Sequence, residues 1–477
     1  MLFNSIHFLI FAPIVVTIYY GLPHRGQRVL LLLASLYFYA VFKIPFTILL
    51  LASVAFSCIA GRGMTAAGDT NPGLRKFWLY FAITGNLSIL FFFKYVDFAI
   101  RVINQSLGLV ALDYVHVEQW GVILPMGISF FTLQSIAYAV DVYRGQIPAT
   151  KSPYQFTLFI SFFPQLVAGP IMRARELLDQ FSERHPFRRE NLEIGLYLVA
   201  LGLFKKTLIA DELTIAADQV YADPMAYSGL GNFVASLLFS IQIYCDFSGY
   251  SDVAIGMARI LGFRFPMNFD RPFMSTTVTE MWRRWHISLS GWLRDYIYIT
   301  LGGNRVGIAR QYVNIILTMF IGGLWHGADW TYIIWGLLHA GAMVVERVVL
   351  GFEGPRRVWE AIPRFIRMFY PYVWFAVAML FFRAYPTQGM SGIEVALTMV
   401  GRVLTFAPGD FPTVPLAPLA LAVLMFSAEY LIEIRPKVME FVDRRPFVMY
   451  AATGLVLGLC FFIYSVTASP QFIYFQF

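Results

Sequence analysis

The chain carries little charge for its size. Asp, Glu, Lys and Arg make up 14% of its 477 residues, whereas soluble proteins contain roughly 25%. Cysteine is also rare, and Cys58, Cys245 and Cys460 stand alone in mostly apolar stretches. Three isolated cysteines exclude a disulfide framework and a CxxC-type metal site. These shortages argue against an ordinary soluble domain and against a disulfide-rich secreted one.

Several common catalytic and cofactor-binding motifs are missing as well. The chain has no Walker loop, no HExxH, no GxSxG and no GxGxxG between a strand and a helix, which excludes the known sites that these motifs form. The net charge of +7 does not indicate nucleic-acid binding. Lys and Arg are scattered between apolar runs, where such residues set membrane topology and contact anionic lipid.

Long apolar runs are what the chain has in excess. Hydrophobic residues make up 58% of it and aromatic residues 17%, without the alternating strands of a membrane barrel. The predicted fold class is an all-α polytopic membrane protein with roughly 10 to 12 transmembrane helices. Broken or re-entrant helices are expected at 121–140 and 154–170, because helix breakers interrupt both runs: Pro125, Gly127, Pro164, Gly169 and Pro170.

Basic residues cluster between the apolar runs. The clusters lie at 62–76, 173–189, 283–310, 356–367 and 435–445. We expect them mostly on the cytoplasmic side, because basic loops are retained there. The loop Asn104–Glu118 has no Lys or Arg and is expected outside. No linker or repeat divides the chain, so a single integral-membrane domain over 1–477 is predicted.

The most unusual segment is Leu324-Trp325-His326-Gly327-Ala328, which places a histidine inside an apolar run. An ionisable side chain at membrane depth is costly and is therefore a candidate for function. Burial holds an imidazole neutral, which is the form that a general base needs. A structural histidine bonded to a neighbouring carbonyl is the alternative. The glycines beside His326 allow backbones or ligands to approach closely.

A second histidine, His286, follows two tryptophans and two arginines. Apolar residues at helical spacing predict one amphipathic helix over 278–297 with an aromatic face: Trp282, Trp285, Leu289, Trp292 and Tyr296. Polar residues cover the rest of it: Arg283, Arg284, Ser290, Arg294 and Asp295. The helix either only anchors the chain to lipid, or its arginines bind the phosphates of a nucleotide-bearing donor such as coenzyme A.

The segment Tyr244–Asp252 combines two carboxylates with several hydroxyls in an apolar region. Asp246 and Asp252 are compatible with a paired acid–base site. Asp246 is equally compatible with orienting an Arg or His, and with a structural role. His339 is expected to pack or to form a hydrogen bond, and Lys205-Lys206 to mark a membrane interface.

Eight motifs, in order along the chain, resemble the membrane-bound O-acyltransferase family, and most closely its bacterial alginate O-acetylation (AlgI-like) subgroup. They are LPMGISF from residue 124, DVYRG from 141, FPQLVAGP from 163, DFSGYSD from 246, EMWRRWHISLS from 280, WLRDY from 292, LGGNR from 301 and GLWHG from 323. The resemblance covers a core over about 1–350. Beyond it only hydrophobic character is shared, and C-terminal transmembrane helices are expected over about 365–467.

The resemblance implies a ring of transmembrane helices with tilted, re-entrant central helices around a funnel. It implies that His326 is the catalytic histidine. It also implies that His286 is the second active-site position, which is histidine in the related D-alanylation protein DltB as well. Such enzymes take an acyl group from a cytoplasmic thioester, here expected to be acetyl-CoA, and we expect neither a bound cofactor nor a metal. Alginate-type members acetylate exopolysaccharide at the bacterial inner membrane with periplasmic SGNH-type partner proteins.

Acyl transfer needs a base for the attacking hydroxyl and donors for the oxyanion. We expect His326 to be the base and His286 to orient a group or carry a second proton. Supporting or donor-binding roles are expected for Trp325, Trp285, Arg284, Arg283, Asp246, Ser290, Arg294 and Asp295. The acceptor stays open between an extracellular polysaccharide such as alginate, and peptidoglycan, cellulose or teichoic acid. A proton-coupled transporter or flippase is a further alternative, because transporters also contain broken helices.

Overall fold

The computed structural model describes residues 1–109, 117–167, 169–436 and 446–466. Over these ranges the chain is helical, and two isolated bridges are its only β-type pairings. The predicted all-α class is therefore confirmed. Parts of two sequence predictions, the outside loop Asn104–Glu118 and the basic cluster 435–445, fall outside the described residues.

The described residues form two compact units, Met1–Glu193 with Met257–Phe265, and Ile194–Gly256 with Pro266–Phe477. The prediction of a single membrane domain stays a prediction. The helices of the first unit are α1 (Ile6–Gly21), α2 (His24–Ala40), α3 (Ile44–Ala67), α4 (Pro72–Leu90), α5 (Val96–Leu109), α6 (Ile128–Tyr143), α7 (Pro153–Ser161), α8 (Phe163–Leu166) and α9 (Ala174–Leu177). A π-helical turn, Phe91–Tyr95, joins α4 to α5, and a 3-10 turn, Gln180–Ser182, follows α9.

Polar contacts join three helices inside the first unit. Asn86 on α4 donates to the Ser57 hydroxyl on α3 at 3.2 Å. The hydroxyls of Ser53 on α3 and Ser135 on α6 lie 3.0 Å apart. All four side chains are buried. Lipid tails are as apolar as the helix surfaces, so the hydrophobic effect contributes little to the association of membrane helices. Interhelical hydrogen bonds of this kind help to hold such helices together.

The helix breaks expected from Pro and Gly occur in this unit. The chain from 117 to 127 is not helical, and α6 begins after Gly127, whose φ of +75° is left-handed. Phe162 interrupts the helix between α7 and α8, with Pro164 in the first turn of α8. Both breaks follow from the residues present: glycine is unfavourable inside a helix, and proline cannot continue one from the preceding turn.

The second unit contains the remaining helices. They are α10 (Arg189–Leu203), α11 (Asp211–Ala222), α12 (Gly229–Ile260), α13 (Val278–Arg284), α14 (Ile287–Leu293), α15 (Ile308–His326), α16 (Trp330–Val349), α17 (Glu353–Ala361), α18 (Arg364–Arg367), α19 (Phe369–Phe382), α20 (Gly392–Leu404), α21 (Leu416–Ile434) and α22 (Pro446–Val466). π-helical turns at Phe204–Ala210 and Arg294–Tyr298 follow α10 and α14, and a 3-10 turn, Pro272–Met274, precedes α13. Because α10 and α12 extend past the unit boundary, a short part of each belongs to the first unit.

Six helical segments of the described chain are long and apolar enough to cross a membrane. They are Ile44–Ala67, Pro72–Leu107, Gly229–Ile260, Trp330–Val349, Arg364–Phe382 and Leu416–Ile434. The chain is therefore a multi-pass membrane protein. The larger number of crossings that the sequence predicts, and the direction in which they run, stay predictions.

Helices α15 and α16 cross where two glycines meet. A side chain at Gly323 would overlap the Tyr332 carbonyl oxygen, and one at Gly336 would overlap the backbone of α15. The two backbones are therefore in direct contact, as in small-residue crossings of membrane helices. Gly327 lies under the ring of Tyr332. The glycines around His326 thus fix the end of α15 against α16.

We predict that Gly323→Ala destabilises the protein by about 1–3 kcal/mol, because the new methyl group must push the α16 backbone away. Gly341→Ala on α16 is the matched control, since an added methyl group there meets nothing within 4 Å. Thermal unfolding of the purified protein in detergent compares the two variants. Equal midpoints for both would show that the crossing tolerates a larger residue.

Candidate active site

His326 is enclosed by aromatic rings at the C-terminal end of α15. It is 4% exposed. Its ring centroid lies 4.9 Å from those of Trp325 and Trp335, and 5.3 Å from that of Phe382. The crossing of α15 and α16 brings Trp335 to this position. Walls of this kind exclude water and strengthen the electrostatic interactions inside them.

His286 occupies a sharp break between α13 and α14. Its φ of +43° is left-handed, which costs a residue with a β-carbon about 1–3 kcal/mol. The ring is fully buried and contacts Phe247 at 4.6 Å and Phe269 at 6.3 Å between centroids. The single helix predicted over 278–297 is therefore wrong. Its aromatic face is nevertheless buried throughout: Trp282, Trp285, Leu289, Trp292 and Tyr296.

Asn268 determines which nitrogen of His286 carries the proton. The backbone N–H of Ser288 donates to Oδ1 of Asn268 at 3.1 Å, and Nδ2 donates to the Ser251 hydroxyl at 3.1 Å. Oδ1 can only accept, so Nδ1 of His286, 3.3 Å away, donates to it. Nε2 therefore keeps its lone pair, and it has no hydrogen-bond partner among the described residues.

The charge state of His286 follows from its surroundings. Burial among aromatic rings lowers the pKa of His286 to about 3, because an imidazolium loses its hydration there. The ring is consequently neutral at physiological pH. A neutral imidazole with a free Nε2 lone pair accepts a hydrogen bond or a proton but cannot donate from that atom.

One row of rings in edge-to-face contact connects the two predicted histidines. The Trp325 ring lies 5.9 Å from His286 and 4.9 Å from His326 between centroids. The row continues through Trp335 to His339 at 5.0 Å. His339 is fully buried, and neither of its ring nitrogens has a hydrogen-bond partner within the described ranges. The structure thus places three histidines along one aromatic wall, two of them singled out by sequence.

A carboxylate on α16 anchors the start of α13. Glu346 is 7% exposed and accepts hydrogen bonds from the backbone N–H groups of Val278 and Thr279 and from the Thr279 hydroxyl. A carboxylate is favoured at a helix N-terminus, where the N–H groups lack partners. Glu346 therefore ties the helix that leads to His286 to the helix that packs on His326.

Arg284 belongs to an ion-pair cluster rather than to the ring wall. It contacts Glu280 at 2.9 Å and Glu433 at 3.0 Å. Glu433 also pairs with Arg271 at 3.3 Å and with Arg364. Carboxylates of the same chain thus balance the charge of Arg284 in this state. Its role in binding a donor stays a prediction.

Asp246 pairs with a lysine. Its carboxylate lies 2.6 Å from the Lys206 ammonium, which also contacts Asp211 at 2.7 Å. Asp252 pairs with Lys205 at 2.8 Å. Lys205 and Lys206 are buried, and the expectation that they mark a membrane interface stays a prediction. Buried charges of this kind persist because each one has a partner.

A close contact between two glycines positions these ion pairs. A side chain at Gly249 on α12 would overlap the carbonyl oxygen of Gly202 on α10, and one at Gly202 would overlap that of Gly249. Asp246 and Asp252 flank this contact on α12. The close approach brings both carboxylates to the π-helical turn Phe204–Ala210, which carries the two lysines. Asp246 and Asp252 meet different lysines, so these two carboxylates do not form the paired acid–base site that the sequence allowed.

The other predicted polar residues lie in local contacts. Arg283 is exposed. Arg294 is also exposed and pairs with Asp295 at 2.8 Å. The Ser290 hydroxyl donates to the Trp285 carbonyl at 3.2 Å, which closes the turn around His286. Their roles in binding or catalysis stay predictions.

Two residues near the histidines were missed from the sequence. Asn268 is fully buried, yet it lies 18 residues before His286 in a segment without periodicity. Glu346 looks like an ordinary acid at the end of an apolar helix. Within the described residues, no cluster of three or more His, Cys, Asp or Glu is placed to hold a metal ion.

The chain is similar to known proteins over most of its length. The sequence profile of the membrane-bound O-acyltransferase family matches residues 146–358, which include both histidines. The chain is 38% identical over 436 residues to "Probable alginate O-acetylase AlgI" of Azotobacter vinelandii, covering 90% of this chain and 83% of that protein. It is 40% identical over 416 residues to the protein of the same name from Pseudomonas putida, covering 86% and 81%.

A relative with another named acceptor is similar over almost the same length. The chain is 36% identical over 434 residues to "Peptidoglycan O-acetyltransferase" of Helicobacter pylori, covering 84% of this chain and 80% of that protein. Identity above 35% over most of both chains is found for both kinds of relative. The shared part therefore does not by itself distinguish the acceptors.

We predict that Asn268→Leu lowers the rate of acyl transfer at least about tenfold, since the proton of His286 is no longer held on Nδ1. Asn268→Asp keeps an acceptor at that position and should recover part of the rate. Ser251→Ala removes only the partner of Nδ2 and should change the rate less than threefold, on the scale of one neutral hydrogen bond of about 0.5 kcal/mol. Equal rates for wild type and Asn268→Leu would contradict the role of Asn268.

We also predict that Glu346→Gln lowers kcat by about 10- to 100-fold with little change in KM, because His286 loses its alignment with His326 while both rings remain. Removing a charge-assisted contact of this kind costs about 1.5–3 kcal/mol. Glu360→Gln on the exposed helix α17 is the control and should leave both constants unchanged. A rise in KM with kcat unchanged would instead assign Glu346 to substrate binding.

Proposed function

Because the chain belongs to the membrane-bound O-acyltransferase family and is an acyltransferase, we propose that it O-acetylates an extracellular polysaccharide such as alginate. The acetyl group comes from cytoplasmic acetyl-CoA and crosses the bacterial inner membrane through this protein. The observation that carries the proposal is the buried ring row that joins His286 and His326 through Trp325. Similarity to alginate O-acetylases over 90% and 86% of the chain supports the acceptor class.

His326 acts as the general base in this proposal. It takes the proton from the acceptor hydroxyl, whose oxygen forms a bond to the thioester carbonyl carbon. The carbon–sulfur bond then breaks, and the coenzyme A thiolate leaves with the proton that His326 returns. Base catalysis of this type contributes about 10²- to 10⁴-fold. The surrounding rings exclude water, which otherwise hydrolyses the thioester.

His286 positions the attacking group. Its Nδ1 proton is committed to Asn268, so its free Nε2 lone pair accepts a hydrogen bond from a second hydroxyl of the sugar acceptor, next to the attacking hydroxyl whose proton goes to His326. A neutral ring suits this role, because an imidazolium at the same place has no lone pair to offer. Orientation of a reacting group lowers the barrier by restricting its motion before reaction.

The donor and the partners follow from the same proposal. Exposed Arg283 is available to the phosphates of coenzyme A, since its guanidinium forms no ion pair among the described residues. Periplasmic proteins of the SGNH type take the acetyl group onward to the polysaccharide. Transfer of a group between two compartments needs such a partner, because the enzyme itself stays in the membrane.

Peptidoglycan is the second candidate acceptor. The similarity to the Helicobacter pylori peptidoglycan O-acetyltransferase over 84% of the chain favours it. Both acceptors present sugar hydroxyls, and the base and the thioester chemistry are the same. Only the partner and the polymer differ between the two.

We predict that His326→Ala lowers acetyl transfer from labelled acetyl-CoA by at least about 100-fold, while the protein keeps its thermal unfolding midpoint. The measurement is release of coenzyme A together with label on the acceptor, using purified protein and either alginate with an SGNH partner or peptidoglycan fragments. His24→Ala, outside the ring row, is the control and should transfer at the wild-type rate. If the His326→Ala variant transferred acetyl groups at the wild-type rate, the proposed mechanism would be wrong.

A further inference from the structure

An apolar cavity of about 220 Å³ lies in the second unit, away from the ring row. Its lining is hydrophobic and comes from α12, α18, α19, α21 and the turn before α13: Ile241, Phe273, Met274, Phe365, Met368, Phe369, Tyr372 and Phe426. It is open on one side, where Phe365 and Phe369 are 54% and 64% exposed. Both belong to a candidate membrane span. The cavity therefore opens toward the hydrocarbon of the bilayer.

Two arginines neighbour lining residues of this cavity along the chain. Arg364 directly precedes Phe365 and donates to the Met274 carbonyl at 3.3 Å. Arg367 directly precedes Met368. Its guanidinium is half-buried, and it makes no hydrogen bond or ion pair among the described residues. An uncompensated cation beside an apolar cavity indicates an anionic group attached to an apolar one.

The depth of the cavity agrees with the dimensions of a lipid. The candidate span begins at Arg364, and Tyr372 lies eight residues further on, which is about 12 Å along a helix. On α21 the apolar residue comes before the charged one: Phe426 lines the cavity, and Glu433 lies near the end of the span. Charged groups thus lie at the membrane boundary and apolar ones below it, as headgroup and acyl chain do.

The surrounding charge is complementary to an anion. Glu433 balances part of the charge of its arginine partners, Arg271, Arg284 and Arg364. With Glu280 and Asp270 counted as the other two carboxylates of the cluster, three acids face three arginines, and Arg367 is left in excess. A phosphate accepts hydrogen bonds from a guanidinium in a planar, two-point arrangement.

We propose that this cavity binds one acyl chain of an anionic phospholipid, whose phosphate lies against Arg367 and Arg364. The bilayer supplies this occupant, because lipid is what surrounds the open side of the cavity. The bound chain also contacts Phe273, whose ring packs on Trp285 at 6.1 Å. Trp285 immediately precedes His286, so the lipid supports the wall behind the candidate active site. The proposal does not depend on the acyl acceptor or donor.

The test uses the full purified chain and two lipids with identical acyl chains, phosphatidylglycerol and phosphatidylcholine. Native mass spectrometry measures how much of each lipid the protein retains from an equal mixture. Wild type should retain one phosphatidylglycerol in preference. A basic residue near the membrane surface contributes about 1 kcal/mol, so Arg367→Gln should lower this preference roughly fivefold, and Arg364→Gln with Arg367→Gln roughly 30-fold.

The matched control is Arg356→Gln with Arg357→Gln on exposed α17, where the arginines pair with Glu360 and Glu353. This variant should retain lipid as wild type does. Met368→Trp fills the cavity and should lower retention of both lipids. Arg367→Gln breaks no ion pair within the part of the chain that the structure describes, so it tests the site even if the double variant at 364 and 367 unfolds.

Three results would overturn the proposal. The first is equal retention of phosphatidylglycerol and phosphatidylcholine by wild type. The second is a preference for phosphatidylglycerol in the Arg367→Gln variant that is as large as in the wild type. The third is an equal loss of preference in the control at 356 and 357, which would assign the effect to net charge rather than to this cavity.

Discussion

Polar groups buried in a membrane protein must find their partners inside the protein. Lipid supplies neither hydrogen bonds nor counter-charges, so each unpaired group costs several kcal/mol. Charged groups of the second unit follow this constraint. Lys205 and Lys206 meet carboxylates, and Glu346 meets the free N–H groups of a helix start. The Nε2 atom of His286 is one of several buried polar atoms without a hydrogen-bond partner among the described residues, and its place in the ring row beside His326 makes it a candidate for function.

Ordinary packing builds the site around His286. Close glycine contacts bring α15 against α16, and this crossing places Trp335 on His326. The left-handed turn at His286 then directs its ring toward Trp325 instead of along a continuous helix. Asn268 holds one nitrogen and leaves the other free. A strained residue supported on all sides is a common way to keep a reactive group ready.

Much of the fold was predictable from the sequence, because it depends on composition and local residue preference. Low charge and long apolar runs predict the all-α membrane class. Pro164 and Gly127 predict breaks that occur where expected. His326 stood out because an imidazole in an apolar run is rare, and the glycine next to it, Gly327, does serve close packing.

The remaining features depend on contacts between residues far apart in the chain. The periodicity of Trp282 and Tyr296 is helical, yet it cannot reveal the break at His286, which long-range packing enforces. Lys206 reaches Asp246 only because α10 and α12 touch. Asn268 is an ordinary amide until the fold brings it to His286. Pairings of this kind follow from tertiary structure and leave no local signal.

The central claim is that His286 and His326 act as one site, and a double-mutant cycle tests it most directly. The measurement is the rate of acetyl transfer by wild type, His286→Ala, His326→Ala and the double variant. Residues that act as a unit are strongly non-additive. The account predicts that the double variant loses little more activity than His326→Ala alone. Losses that multiply would contradict it, because they would show two histidines working independently.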